Sequence, residues 1–347
     1  MSPFTKLQLL SLLCFTTTAV CPAQEHDLKT VAKKGSTVWL LLEEKQEQSF
    51  ELGGTPIEMG SATTRTLQIE VKDVDDKGNL VVDVKIARIH GSTSVPTMTG
   101  IEEIEFDSAK KTENEDEAGG GGPFSPGAMT KMMTALAGKS YVAKVDTFGK
   151  VASLEGVDEL LKSANQGPRM GGPMSPVSEG QLKQYVASAF GTLPQKPIAQ
   201  GATWDQVDEE KAQGMKVETK LQLTLAKVDA ESFEITATGT VGTAAAKAEE
   251  KAGEAADGAN PMREMMKNVK VKNGKISGTQ RVSRQDGFVI ESSNTTTMDI
   301  ERPGPMGGEM TIGIKTTQKC KRTTAEAAMP KTEAKADKAE APKEAGK

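Results

Sequence analysis

The side chains through which this 347-residue chain could do chemistry are scarce or awkwardly spaced. Its two histidines are His26 and His90. His26 falls at the expected mature N-terminus, and His90 ends an alternating run just before Gly91. Without a Gly-x-Ser-x-Gly phrase, neither has the companions of a nucleophilic triad. Of the three cysteines, Cys14 and Cys21 lie in the N-terminal leader, which leaves Cys320 alone. A single thiol supports neither a disulfide framework nor a zinc site, and Cys320 is expected as a small buried hydrophobe at the end of the last strand. Asp73, Asp75 and Gly78 occupy the first, third and sixth places of a calcium loop. The twelfth place is Val84, where a bidentate Glu is required, and Lys77 takes a ligand place, so "DVDDKGN" reads as a hairpin turn. Glu43-Glu44 and Glu209-Glu210 are adjacent, and on strands they point to opposite faces, too far apart to act as an acid/base couple.

Methionine, at 16, is the one unusual abundance. Met129, Met132 and Met133 in "MTKMM" and Met262, Met265 and Met266 in "MREMM" are thioether clusters of the kind that suits Cu(I). Both adjoin Gly/Pro loops, where methionine also fills irregular gaps. Trp39 and Trp204 could stack on a sugar or cover the open end of a sheet. No catalytic constellation emerges, and the expectation is a non-enzyme without cofactor.

The elements that hold these residues have a period of two. Leu67, Ile69 and Val71 alternate, then Leu80, Val82, Val84 and Ile86, with "DDKGN" as the turn between them. The construction returns: Leu221, Leu223 and Leu225 alternate, "VDAES" turns, and Phe233, Ile235 and Ala237 alternate back. Gly35, Thr37 and Glu43-Glu44-Lys45 recur 166 residues on, and Leu67, Val74 and Asp75 recur 154 on. Trp39 and Trp204 open the two halves at nearly equivalent places. Further turns at Gly149 and at Asp286-Gly287 correspond, so the halves read as an internal duplication. "GVDELLKSAN" is a short helix. "SEGQLKQYVASAFG" is a better one, with Ser178 and Gln181 at capping-box spacing and Leu182, Tyr185, Val186 and Ala189 on one face, expected to pack on a sheet.

Residues 1–23 have the charged start, apolar run and small-residue end of a signal peptide, with lipid anchoring at Cys21 as a lesser reading. After cleavage no stretch is long and apolar enough to span a membrane. The organisation expected is a first β half at 24–165, a Gly/Pro/Met loop and linking helix at 166–191, a second β half at 192–322 with a flexible insert at 243–260, and a disordered Ala/Lys/Glu tail at 323–347. Aromatic content is 4% and net charge is −5, with no basic stripe, which argues against nucleic acid. Eight acids between Glu102 and Glu117 read as a solvated loop.

The succession "GSTVWLLLEEKQEQSFELGG", "VKDVDDKGNLVVDVKIARI", "YVAKVDTFGKVASLEG" and "MTIGIKTTQ" resembles a family of exported bacterial β-rich proteins known only as a domain of unknown function. The resemblance covers most of residues 28–320 and implies a fold and a compartment, with no functional residues to carry over. The fold expected is mainly β, two related antiparallel halves forming a sandwich or an incomplete barrel. The function expected is a periplasmic or extracellular, non-catalytic protein that binds an apolar or polymeric envelope ligand, an envelope lipid or polymer, in the concave face of its sheets, whose Leu, Val and Met lining would suit an acyl chain. The alternatives are a structural protein contacting other envelope proteins and, remotely, a hydrolase.

Overall fold

The computed structural model describes residues 24–52, 54–97, 100–110, 126–164, 178–212, 215–244, 269–303 and 308–328. Twelve antiparallel strands form one sheet. Its order is β7 (Val151–Glu155), β6 (Ser140–Val145), β4 (Leu80–Thr97), β3 (Thr55–Val74), β2 (Thr37–Leu52), β14 (Glu309–Thr323), β13 (Val289–Pro303), β12 (Lys270–Ser283), β11 (Ser232–Thr243), β10 (Met215–Val228) and β9 (Thr203–Ala212). The twelfth strand, β5 (Gly100–Asp107), pairs with the distal part of β4. A separate pair joins β1 (Glu25–His26) to β8 (Ile198–Ala199). The helices among the described residues are α1 (Pro126–Thr134), α2 (Val157–Ala164), α3 (Glu179–Ala187) and α4 (Ala325–Ala328).

The duplication is visible bond by bond. Gly35 N donates to Val71 O and Val71 N to Ser36 O; Gly201 N donates to Leu225 O and Leu225 N to Ala202 O. These four bonds join the positions that the two sequence offsets equate. Both strands then carry a register shift at the same place, Val71/Asp73 in β3 and Leu225/Lys227 in β10. The Asp75 carboxylate accepts from Lys77 N and Asn79 N, as that of Asp229 does from Glu231 N and Ser232 N. The turn reading of "DVDDKGN" follows from these bonds, because the carboxylate closes a hairpin. One correspondence fails. Trp39 and Trp204 are 165 residues apart, one short of the offset, and in strands a slip of one reverses the face. Val38, buried and inward, is the counterpart of Trp204, while Trp39 faces outward.

The halves share one core. α3 touches both β7 and β9, the two ends of the sheet path, so the sheet curls around the helix with its walls facing one another, sandwich-like. It does not close, since β7 and β9 are not paired with each other. Leu182, Tyr185, Val186 and Ala189 are buried in one core cluster with Leu40, Leu67 and Val82 of the first half and Leu225, Ile235 and Val282 of the second. Ser178 caps the helix, accepting from Gln181 N, and Tyr141 Oη donates to Leu182 O. The segment after α3 runs so close to the β6–β7 turn that a Cβ on Gly149, at φ +85°, would meet Gly191 O at 2.1 Å. Glycine is required there on both counts.

Two sequence expectations need correcting. The start of the acidic run is a strand: in β5 Ile104 and Phe106 are buried while Glu103 and Glu105 point to solvent. An alternating strand explains the acids as its wet face. Likewise the chain stays folded beyond Arg322, where Ala328 of α4 is buried and its carbonyl accepts from Thr66 Oγ1.

The Arg88–Asp107 pair fastens β4 to β5 through two hydrogen bonds, 3.1 and 2.7 Å. Arg88 holds the Asp107 carboxyl below the ordinary carboxylate range. Because the folded-state pKa is the lower one, the pair stabilises the fold above the unfolded value of about 3.9 and ceases to as pH falls through the folded value. Asp107→Asn is expected to cost about 1 kcal/mol at pH 7 and progressively less as pH falls below about 3.9, read from urea midpoints across that range.

Candidate functional site

Register converts the strand sequences into rows across the inward face. Farthest from α3, Ile57, Phe50, Ile312, Ile300 and Val271 are direct partners across β3, β2, β14, β13 and β12. The row spans four inter-strand gaps, about 19 Å. The next row inward reads Met59, Gln48, Ile314, Met298, and the one after it Ser61, Gln46, Thr316, Thr296. Along these rows every side chain but Val271 is half-buried, an inward surface that the described core leaves partly open. On the other wall Ile276, Val241, Leu221 and Val217 also face inward, with Gly239 between Ile276 and Leu221. The result is an aliphatic trough at the end opposite α3.

A polar belt separates the trough from the core. Thr63, Glu44, Gln318 and Asn294 are cross-strand partners in one row. Arg65 Nη1 donates to Glu44 Oε2 at 3.0 Å, and the guanidinium lies 4.9 Å above the Tyr185 ring. The Arg65 side chain is 9% exposed and that of Glu44 22%, so the acid is the partner that reaches the trough. Gln184 Nε2 donates to Gln318 Oε1, tying α3 to the same belt. Burial pushes the Tyr185 phenol up to about 12, which keeps it neutral under the cation.

The residues singled out from sequence do not converge. Trp39 is half-buried on the outward face; Trp204 faces inward on β9 against the core, its Nε1 buried without a partner among the described residues. Met132 and Met133 lie on α1, and Met133 packs against the core. Met129 lies on the same helix, and Met262, Met265 and Met266 fall outside the described residues. His90 points outward beside Arg88 and Asp107, and burial, assisted by Arg88, lowers its pKa. Cys320 is buried in the row between Leu42 and Ser292, and burial pushes its thiol up to about 12. It is therefore an unreactive core residue. No group of three or more His, Cys, Asp or Glu able to hold a metal occurs among the described residues.

Sequence reasoning missed Arg65, Gln184 and Gln318, and weighed Glu44 only as half of an acid/base couple with Glu43. Two of them were signalled: Arg65 shares its parity with Leu67, Ile69 and Val71, and Glu44 shares its own with Leu40 and Leu42. Two shallow depressions, of about 400 and 410 Å³, lie on the outward face, lined by polar groups such as Arg281, Glu291 and Lys319 in one and Asp205, Lys220 and Thr238 in the other. Neither is an enclosed apolar chamber. No described helix is long and apolar enough to cross a membrane.

These features define an open β protein, one large curled sheet packed on short helices with α3 between its ends, and an inward trough at the far end. The chain belongs to a family of unknown function, DUF6263, whose model matches residues 77–289. Among curated proteins none matches it. Among solved structures, one of lipovitellin, concerned with lipid–protein interactions, aligns over 84% of this chain and 25% of its own at 8% identity and TM-score 0.40. The chain thus spans about a quarter of lipovitellin's length. A DUF1329-family protein from Desulfovibrio piger aligns over 84% of this chain and 88% of its own, at 8% identity and TM-score 0.15. A putative outer membrane lipoprotein-sorting protein domain from Vibrio parahaemolyticus gives 83%, 86%, 8% and 0.15. At such scores the likenesses carry no functional argument, which rests on the rows above.

Proposed function

We propose that the protein is a non-catalytic binding protein of the cell envelope, exported by its leader, that carries a lipid acyl chain in the trough. The observation that supports this is the row Ile57–Phe50–Ile312–Ile300–Val271, aliphatic but for one ring, on the inward face and, apart from Val271, half-open. Outward positions on the same strands, Glu47, Lys315 and Asp299, are charged, so the apolar character belongs to one face alone. Each buried methylene contributes about 0.8 kcal/mol. About ten of them give roughly 8 kcal/mol, from which the costs of association are subtracted, so a dissociation constant weaker than about 1 μM is expected.

Native mass spectrometry of protein purified gently from its host envelope, beside a solvent-stripped sample, is the test. The expected result is a reproducible added mass in the first sample alone. Ile312→Asp puts a charge in the middle of the row at a position open enough to tolerate it, and should lower the loaded fraction at least about tenfold with little loss of stability. A bare mass from the unstripped wild type would remove the proposal.

A further inference from the structure

We infer that the ligand's head is uncharged and hydrogen-bonding, such as a glyceride polyol or an amide, and that the belt at Glu44 selects it; this rests on the carrier reading above. The belt row offers a hydroxyl at Thr63, amides at Gln318 and Asn294 and, one row further out, Ser61, Gln46, Thr316 and Thr296. These groups both donate and accept, which suits hydroxyls and amides. The charges at this level are Arg65 and Glu44, and they already satisfy one another at 3.0 Å.

The arrangement is asymmetric. Arg65 is held beneath, its guanidinium against Tyr185, while Glu44, one row nearer the trough, keeps the greater exposure. An arriving carboxylate or phosphate meets the carboxylate of Glu44, while Arg65, the cation of this level among the described residues, is both covered and neutralised. Like charges brought together in a partly dry site cost several kcal/mol. A neutral head makes its hydrogen bonds without that cost. Elsewhere on the inward face Asp208 adds a further acid, and Arg302 is exposed at the rim end, remote from the belt. From Glu44 to Phe50 the strand rises about 20 Å, so one long-chain amphiphile can engage belt and rim together.

The experiment is isothermal titration of the delipidated full chain with monoolein, oleate and oleylamine, below their aggregation concentrations. These probes share a tail and differ in the head's charge. Monoolein is expected to bind at least about tenfold tighter than oleate, with oleylamine between them. Glu44→Gln, confirmed folded by its melting curve, is expected to reverse the order in favour of oleate, because Arg65 is then unbalanced. Should that variant fail to fold, the wild-type ranking decides alone. Oleate binding as well as monoolein overturns the inference while leaving the carrier intact; silence from all three probes removes the carrier reading itself.

Discussion

Leu182→Ala is expected to destabilise both halves of the molecule together, by about 3–4 kcal/mol. Leu182 is completely buried at the centre of the helix around which the sheet curls, with core strands of both halves about it. The cavity it would leave is lined by strands far apart in the sheet order, so collapse on one side cannot fill it. The two tryptophans make the outcome readable. Trp39 in β2 reports the first half and Trp204 in β9 the second, and each is followed alone in the Trp204→Phe or Trp39→Phe background. Trp204→Phe is itself expected to be mild, since the indole N–H it removes is buried without a partner among the described residues. In urea, both reporters should show one midpoint and the same downward shift with Leu182→Ala. Two separate midpoints, with one unmoved, would mean that the duplicated halves fold as independent domains.

How far the sequence reaches is clear from particular residues. The hairpins at Asp75 and Asp229 were legible because a turn dictates local chemistry: an acid that accepts backbone N–H bonds and, at Gly78, a positive φ. α3 was legible through its cap and its apolar spacing, both of which the structure keeps. The closure of the two halves into one sheet was not, because it depends on β14 pairing with β2, a contact between the two ends of the chain with no local signature. The offset between Trp39 and Trp204 shows the opposite failure. Two indoles in similar phrases invite equivalence, yet strand faces follow parity, and 165 is not 166.

The trough was half legible for the same reason. Ile312 and Ile314 alternate plainly, but their neighbours in the rows, Phe50, Met298 and Val271, come from strands whose register only the folded sheet sets. Met59 and Met298 are trough residues that no cluster count would select, since each stands alone in sequence. Chemistry sought through motifs also looked for residues close along the chain, whereas Glu44, Arg65 and Gln318 meet as cross-strand neighbours.

Glu44→Gln is the second large effect, and its size follows from which charge is left behind. Arg65 stays in place, 9% exposed over Tyr185, with its carboxylate partner gone. A fully buried ion left alone costs about 3–5 kcal/mol, and the partial exposure of Glu44 reduces the expectation to about 2 kcal/mol. Arg65→Met removes the cation and leaves Glu44, which can turn toward the trough and water, so about 1 kcal/mol is expected there. The double variant Glu44→Gln/Arg65→Met leaves no charge in the belt, and should lose at least about 1 kcal/mol less than the sum of the single losses. Urea midpoints of the four proteins complete the cycle. Strict additivity would show that the pair is screened by water, and it would also take away the covered, neutralised cation on which the preference for an uncharged head depends. A favourable coupling, with oleate binding gained in Glu44→Gln, ties stability and selectivity to the same two side chains: the protein keeps a buried arginine at the floor of its trough because the acid above it both solvates that charge and refuses another.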